Sequence, residues 1–376
     1  MDLSGASTSW SHTSTAQRLV AGEGSLEQVT QLVGDAGGRR VLLVTTPRRL
    51  ASEPGQALVR RLGRKIAATF DGAKAHVPTP VVQAAVSLAR TAGADLVVSF
   101  GGGSCADLGK AVCFFTEQAQ GQPATTYLDR PVLPHIAIPT TWSGAELTPF
   151  FGMTDPAARR KQGAGSLTCA PVAAVYDPES VVGLDPLVSA ASGMNCLAHG
   201  IECAWSPQRT PEAEAVALAC VARTVEALPA VVDDPDDLEA RLAMLSAAAL
   251  GGRALTNATM GVHHGLAQLV GGRTGLSHGL ANAILLTHAV AYNAADPLLA
   301  SPLHRIGVAL GDPDDPAGAV DRLRERLGLP GHLVDVGVSA DDLDAVARMS
   351  AASPTVRMNP RPVSEDEARG ILAAAW

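Results

Sequence analysis

Four polar residues in the second half of the chain stand where buried side chains could meet and do chemistry. Asn195 and His199 are four apart, so on a helix they share one face. His264 and His278 are separated by a stretch holding Gly271, Gly272 and Gly275, which reads as a turn between two helices. The residues around all four are mostly apolar or small. Imidazoles on buried helix faces, brought together from three helices, suit a divalent ion such as Fe or Zn. The competing reading is a set of histidines satisfied within a core, and for any single His that reading prevails.

A second chemical signature lies in the first half. Gly101, Gly102, Gly103 and Ser104 directly follow the apolar run Leu96 to Phe100 and open a helical stretch through Asp107 and Lys110. Glycines let a backbone approach a pyrophosphate, and a helix N-terminus offers unpaired N–H groups and a positive dipole end. This is the physics of dinucleotide binding, without the GxGxxG spacing. A plain strand-to-helix turn is the alternative. Pro139 to Gly144, with Thr140 and Thr141, also follows a strand-like run; it reads as a second groove wall or a simple polar loop.

Elements of two kinds must position these groups. In the first half, Val41 to Thr46, Ala67 to Phe70, Leu96 to Phe100, Ile136 to Ile138 and Val172 to Tyr176 read as buried strands. Leu26 to Val33, Gly55 to Leu62 and Val81 to Thr91 between them have helical spacing. Such alternation predicts an α/β domain, a parallel sheet covered by helices. Beyond about residue 180 the strand-like runs stop. Leu187 to Trp205, Glu212 to Leu228, Leu238 to Leu255 and Gly279 to Tyr292 are long, Ala/Leu-rich and helical in period, so the second part is expected to be all-α. The boundary falls near Pro178 to Asp185, giving a dinucleotide-binding domain over 1–180 and a helical domain over 181–376. Asp233 to Asp237 reads as a helix start, because carboxylates are favoured beside N-terminal amides.

Composition bounds the class. The 376 residues are 47% hydrophobic, ample for two cores. The net charge of −8 with no basic block argues against a nucleic-acid partner. No uninterrupted apolar run approaches the roughly 18 residues that cross a bilayer, and Met1 to Ser14 lacks the pattern of a secretory signal. That segment reads as a frayed tail, and the chain as cytoplasmic with a small-molecule substrate. The six cysteines form no CxxC pair, which fits reduced thiols. Only four lysines occur, Lys65, Lys74, Lys110 and Lys161; their scarcity favours a role for Lys161 beside the cofactor or substrate carbonyl.

Taken in order, the GGGS turn with Asp107 and Lys110, Pro139-Thr140-Thr141, Lys161, the Asn195/His199 pair, and His264 and His278 resemble the iron-containing alcohol dehydrogenase superfamily. Local strings bring the chain nearest the maleylacetate reductases: Phe70-Asp71-Gly72-Ala73, Leu108-Gly109-Lys110-Ala111, Ser192-Gly193-Met194-Asn195, His263-His264 and Asn359-Pro360-Arg361-Pro362. The resemblance spans nearly the whole chain. It implies a dehydroquinate-synthase-like architecture, with a Rossmann-type N-terminal domain, a helical C-terminal domain and an active site in the cleft between them. It implies a homodimer and hydride transfer between NAD(P)H and a carbonyl or conjugated alkene, the family reaction being reduction of maleylacetate to 3-oxoadipate. Gly101, Gly102, Gly103, Ser104, Asp107, Thr46, Thr140 and Thr141 would then hold cofactor. His199, His264, His278, His263 and Lys161 would serve catalysis, and Asn195, His199, His264 and His278 would form the metal-type site.

The chain departs from its relatives at three places. Metal-dependent members have Asp where this chain has Asn195, whereas maleylacetate reductases resemble it in having Asn. The ligand set thereby lacks an anion to offset a dication, so weak or absent metal binding is expected. A His common in the family four residues after His264 is Gln268 here, leaving His263, His264 or water as proton donors. The stretch after Lys161, residues 162–168, is glycine-rich where maleylacetate reductases carry basic side chains, which suits a less anionic substrate. After the first buried strand, Thr46-Pro47-Arg48-Arg49 offers two cations and no acid. That arrangement would accept an NADPH 2′-phosphate, or it is simply a solvated helix start. Two other functions stay open: a metal-dependent alcohol or aldehyde reductase on a biosynthetic intermediate, and a non-redox homologue performing elimination, cyclisation or ligand binding.

Overall fold

The computed structural model describes residues 9–120, 131–157 and 160–376. The chain divides into two compact units, Ser14–Leu184 and a helical unit built from Asp185–Trp376 together with the residues up to Thr13.

The first unit is built on a six-stranded parallel sheet. Its strands are β1 (Arg18–Ala21), β2 (Val41–Val44), β3 (Ile66–Phe70), β4 (Leu96–Gly101), β5 (His135–Pro139) and, after a separate hairpin, β8 (Ala173–Tyr176). The order across the sheet is β1-β8-β5-β4-β2-β3. Every residue of β2, β4, β5 and β8 is buried, which is why these strands are continuous apolar runs rather than alternating ones. The five strands expected from sequence are all present. β1 was not anticipated: its pattern is one buried residue among three exposed, so it carries little apolar signal. Nor was the antiparallel hairpin of β6 (Phe150–Asp155) and β7 (Arg160–Gly165), whose second strand holds two glycines and little β-branched character.

The winding reverses between β2 and β4. From β2 the chain passes to β3 on one side; from β4 it passes to β5 on the other. The carboxyl ends of β2 and β4 therefore form a topological switch point, where open α/β sheets leave a crevice. The glycine turn follows β4 and Thr45-Thr46 follow β2, so the candidate cofactor residues lie at this edge.

The helical unit is all-α among its described residues. Helices Pro186–Trp205, Pro211–Asp233, Leu238–Leu255, Val262–Thr274 and His278–Ala294 form its centre. Asp237 N-caps Leu238–Leu255 by accepting from the Ala240 N–H, as the acidic run suggested. Pro211–Asp233 is, by length and composition alone, apolar enough to cross a membrane, and 39% of its apolar window is buried inside the protein. It packs on both neighbouring helices: Gly193 and Gly200 of Pro186–Trp205 allow that approach, since an added Cβ would sit 2.3 Å from Leu228 and 2.8 Å from Val221.

The expected frayed tail is tied down at its end. The Thr13 N–H donates to Asn257 Oδ1 at 2.7 Å, and Asn257 Nδ2 donates to the Thr13 carbonyl at 2.8 Å. His12 shares a hydrogen bond with the Thr210 hydroxyl at 2.9 Å and an ion pair with Glu212 at 3.2 Å. A side chain and a backbone segment that composition marks as solvated here find specific partners 198 and 244 residues away. Residues 1–8 lie outside the described residues.

His135 and Glu146 are among the titratable groups sealed in the α/β unit. Burial, reinforced by the charge of Lys110, lowers the His135 imidazole to about 3, from an ordinary 6.5. Burial raises the Glu146 carboxyl to about 7 from 4.5, even though the Tyr176 hydroxyl donates to its Oε1 at 3.0 Å. The unfolded chain protonates His135 first, so this residue erodes stability as pH falls from 6.5 towards 3. Folded Glu146 keeps its proton longest, so it erodes stability as pH rises from 4.5 to 7. The two contributions oppose each other between 4.5 and 6.5. Glu146→Gln is therefore expected to raise the stability of the unit by about 2 kcal/mol at about pH 8 and to change it little at about pH 4, as read by urea unfolding at both pH values.

Candidate active site

At the edge of the sheet, three glycines allow a close meeting of two loops. An added Cβ on Gly101 would lie 2.3 Å from Cys105 Sγ, on Gly102 2.9 Å from Thr141 Cγ2, and on Gly103 3.0 Å from Ser143 Oγ. The turn and the 140–143 loop thus pack together, and the Thr140 N–H donates to the Gly101 carbonyl at 3.0 Å. The helix Gly103–Ala119 has no side-chain cap at its start, which leaves its N-terminal field for an anion. Thr140 Oγ1 is buried without a hydrogen-bond partner. A cradle that a Cβ would fill, an uncapped 17-residue helix and an orphaned buried hydroxyl fit a dinucleotide pyrophosphate.

Asp107 and Lys110 prove to be a brace for this cradle. Lys110, fully buried, donates to the carbonyls of Ala145 at 2.8 Å and Phe150 at 2.5 Å and to the Thr148 hydroxyl at 2.9 Å. Asp107 pairs with it at 2.8 Å and accepts from the Gly152 N–H at 3.3 Å. Ser104 stands in the first turn of the helix. The Thr46 hydroxyl caps helix Pro47–Ala51 by accepting from the Arg49 N–H. Arg48 is exposed beside it, and Arg49 reaches the Thr140 carbonyl at 3.4 Å. Lys161 lies on β7 in register with Thr154; its side chain lies outside the described residues.

The helical unit brings Asn195, His199, His264 and His278 together. His264 is the centre. Its ring stacks on His199 with centroids 4.8 Å apart, lies 5.7 Å from His278, and its Nε2 is 3.2 Å from Asn195 Oδ1. Asn195, His199 and His264 are buried; His278, the first residue of its helix, is half-buried. Gly279 sets that last position: an added Cβ would meet the backbone of Ala191 at 3.0 Å. Burial, reinforced by His264, holds His199 well below its ordinary pKa, so its ring is neutral and offers a lone pair.

Behind His264 stands a residue that sequence reasoning missed. Glu202, fully buried, accepts from the Gly261 and His263 N–H groups on Oε1 at 2.9 and 3.2 Å. Its Oε2 accepts from the His264 N–H at 3.2 Å and from the His264 ring at 2.6 Å. The Val262 N–H donates to Asn359 Oδ1 at 3.1 Å, which gives the Asn359-Pro360-Arg361-Pro362 string a structural role. Burial pushes the Glu202 carboxyl up, but the rings of His263 and His264 outweigh it and hold it below the usual carboxylate range. The available signal was a carboxylate three residues after His199, in an otherwise apolar helix.

His263 takes a different place from its neighbour. It is fully buried, its Nε2–H donates to the Asn282 carbonyl at 2.9 Å, and its Nδ1 lies 3.2 Å from His264 Nδ1. Adjacent helix positions point about 100° apart, so the face that delivers His264 to Asn195 turns His263 into the core. Its ring contacts run to His264 and to the Asn282 carbonyl.

The donors fit a divalent ion. With Nδ1–H given to Glu202, the neutral His264 ring carries its lone pair on Nε2, the atom beside the amide oxygen of Asn195, also an acceptor. Two acceptors at 3.2 Å, with two more imidazoles beside them, suit a borderline cation such as Fe or Zn. Glu202 places a carboxylate against the ring whose other nitrogen faces Asn195. Glu202, His263 and His264 also bring ligand-type atoms within 4.8 Å of one another. The Glu202 oxygens are filled by four N–H donors, so we read that trio as support for the site and not as the site itself.

Comparison with known proteins agrees with this geometry. Residues 16–178 match the model of the iron-containing alcohol dehydrogenases, and residues 189–376 match that of the C-terminal part of the Fe-containing alcohol dehydrogenase family. The chain is 34% identical to a maleylacetate reductase of Rhizobium sp. (strain MTP-10005) over 97% of both chains, and 33% identical to one of Burkholderia cepacia over 96% of this chain and 95% of that one. It is similar to the crystal structure of maleylacetate reductase from Agrobacterium tumefaciens, with a TM-score of 0.85 and 34% identity over 98% of this chain and 99% of that one. The structure of a 1,3-propanediol oxidoreductase matches at a TM-score of 0.89 and 26% identity, over 97% and 99% of the two chains. The dehydroquinate-synthase-like architecture expected from the sequence agrees with these matches.

Gly102→Ala is expected to push Thr141 aside and fill the cradle. NADH binding, followed by fluorescence titration, should weaken by about tenfold, which corresponds to roughly 1.4 kcal/mol. Unchanged affinity would remove Gly102 from the cofactor site.

Proposed function

Because the chain belongs to the iron-containing alcohol dehydrogenase family and is an NAD(P)H-dependent oxidoreductase resembling the maleylacetate reductases, we propose that it reduces a carbonyl or conjugated alkene of a small oxo-acid, with maleylacetate as the first candidate. The observation that carries this reading is the convergence of Asn195, His199, His264 and His278 around one imidazole.

The α/β part, expected over residues 1–180, binds the dinucleotide at Gly101, Gly102, Gly103, Ser104, Thr140 and Thr141, with Thr46 and the Asp107–Lys110 brace shaping the edge. The helical part, expected over 181–376, takes the substrate oxygen. Asn195, His199, His264 and His278 would hold a divalent ion, which when bound polarises that oxygen as a Lewis acid. Neutral His199 keeps its lone pair, and the stacked His199–His264 pair holds its orientation in a dry site. Hydride passes to the substrate carbon. With His263 enclosed and Gln268 unable to ionise, the proton comes from water reaching half-buried His278. Lys161 remains a candidate contact to cofactor or substrate. We place the enzyme in the cytoplasm as a homodimer, on its resemblance to these relatives.

The charge behind His264 favours one second reading, a metal-dependent alcohol or aldehyde reductase. Stoichiometric Fe or Zn in the purified protein, with alcohol or aldehyde turnover lost on chelation, would select it. Failure to bind either dinucleotide would instead select a non-redox role.

Loss of absorbance at the NAD(P)H band is expected on adding maleylacetate; absence of turnover with both cofactors would remove that substrate. If exposed Arg48 receives a 2′-phosphate, Arg48→Ala should raise the KM for NADPH about tenfold and leave that for NADH unchanged.

A further inference from the structure

Glu202 occupies an unusual position. It is fully buried on helix Pro186–Trp205, three residues after His199, yet all its bonds go to another element, the start of Val262–Thr274. A helix start carries unpaired N–H groups, and a buried one must find acceptors. Glu202 takes those of Gly261, His263 and His264, and Asn359 takes that of Val262. A cap alone would account for these backbone bonds. It does not account for the shortest one, at 2.6 Å, which comes from the His264 ring.

That bond decides which nitrogen of His264 carries the proton. A carboxylate offers only acceptors, so Nδ1 must be the donor. In the neutral ring Nε2 is then the lone pair, and Nε2 is the atom 3.2 Å from Asn195 Oδ1. In metal sites a carboxylate behind a histidine fixes tautomer and ring orientation and strengthens the ring as a ligand. Here it does a further task. Asn195, His199, His264 and His278 are ligand types that bring no negative charge, and Glu202 is an anion in direct contact with this set.

We infer that Glu202 is a positioning residue that acts through His264: it locks the ring in the Nδ1–H form and carries, one residue away, the negative charge that the Asn195 amide does not. The inference deepens the reading of the four-residue site and rests on it. It implies that in this chain the carboxylate has in effect moved from the ligand position to the residue behind a ligand. The site then keeps its affinity for a cation while presenting four neutral groups to the substrate.

The test uses the full-length protein, stripped by chelation, with Zn²⁺ alone as the probe. In wild type, selectively 15N-labelled histidine should show the His264 ring, identified by its loss in His264→Gln, as the Nδ1–H tautomer. Glu202→Gln keeps the shape and removes the charge. Zn²⁺ affinity by calorimetry should fall about 10- to 100-fold, while the far-UV circular dichroism of the helices and their cooperative thermal unfolding, which report that the helical unit is folded, should match wild type. Zn²⁺ affinity within twofold of wild type in folded Glu202→Gln would overturn the inference and leave Glu202 as a helix cap. An Nε2–H tautomer in wild type would overturn it as well, and this measurement decides the matter should Glu202→Gln not fold. If wild type itself binds no Zn²⁺ or Fe²⁺, the metal reading fails, and the wild-type tautomer still decides the role of Glu202.

Discussion

The site depends on one carboxylate accepting four hydrogen bonds. Glu202 caps the start of Val262–Thr274 and anchors the His264 ring in the same act. An uncompensated carboxylate in a protein interior is strongly disfavoured, so its charge has to be matched by donors from every side. Those donors lie 59 to 62 residues further along the chain, which makes the pairing of the two helices specific as well as favourable. His199 and Asn195 then follow automatically, because they share the helix that carries Glu202.

A similar economy appears in the α/β unit. Lys110, sealed from solvent, is matched by Asp107 and by oxygens on the segment 145–150. Charge satisfaction again fixes a loop beside a functional edge. In both units a buried charged group braces one segment against another.

The division of labour explains what could be read from the amino-acid order. β2, β4 and β5 were legible because strands buried on both faces are unbroken apolar runs. β1 and the β6–β7 hairpin were not, because edge and hairpin strands hold only partial apolar patterns. The convergence of Asn195, His199, His264 and His278 was legible from an i,i+4 pair and a glycine-rich turn. Glu202 was not, since a single acid in a helix gives no sign of the distant N–H groups it will meet. His263 and His264, adjacent and identical in type, could be told apart only once helix geometry sent one to Asn195 and the other into the core.

The short strap at residues 12–13 has a consequence for how the molecule is made. It belongs to the helical unit, yet it leaves the ribosome before any of that unit's helices. Thr210 and Asn257, its partners, are synthesised only after the whole segment Ser14–Leu184. The α/β unit can therefore close first, during synthesis, while the strap waits unpaired. A fragment begun at Asp185 would contain every imidazole of the site and still lack the strap that ties Thr210 and Asn257.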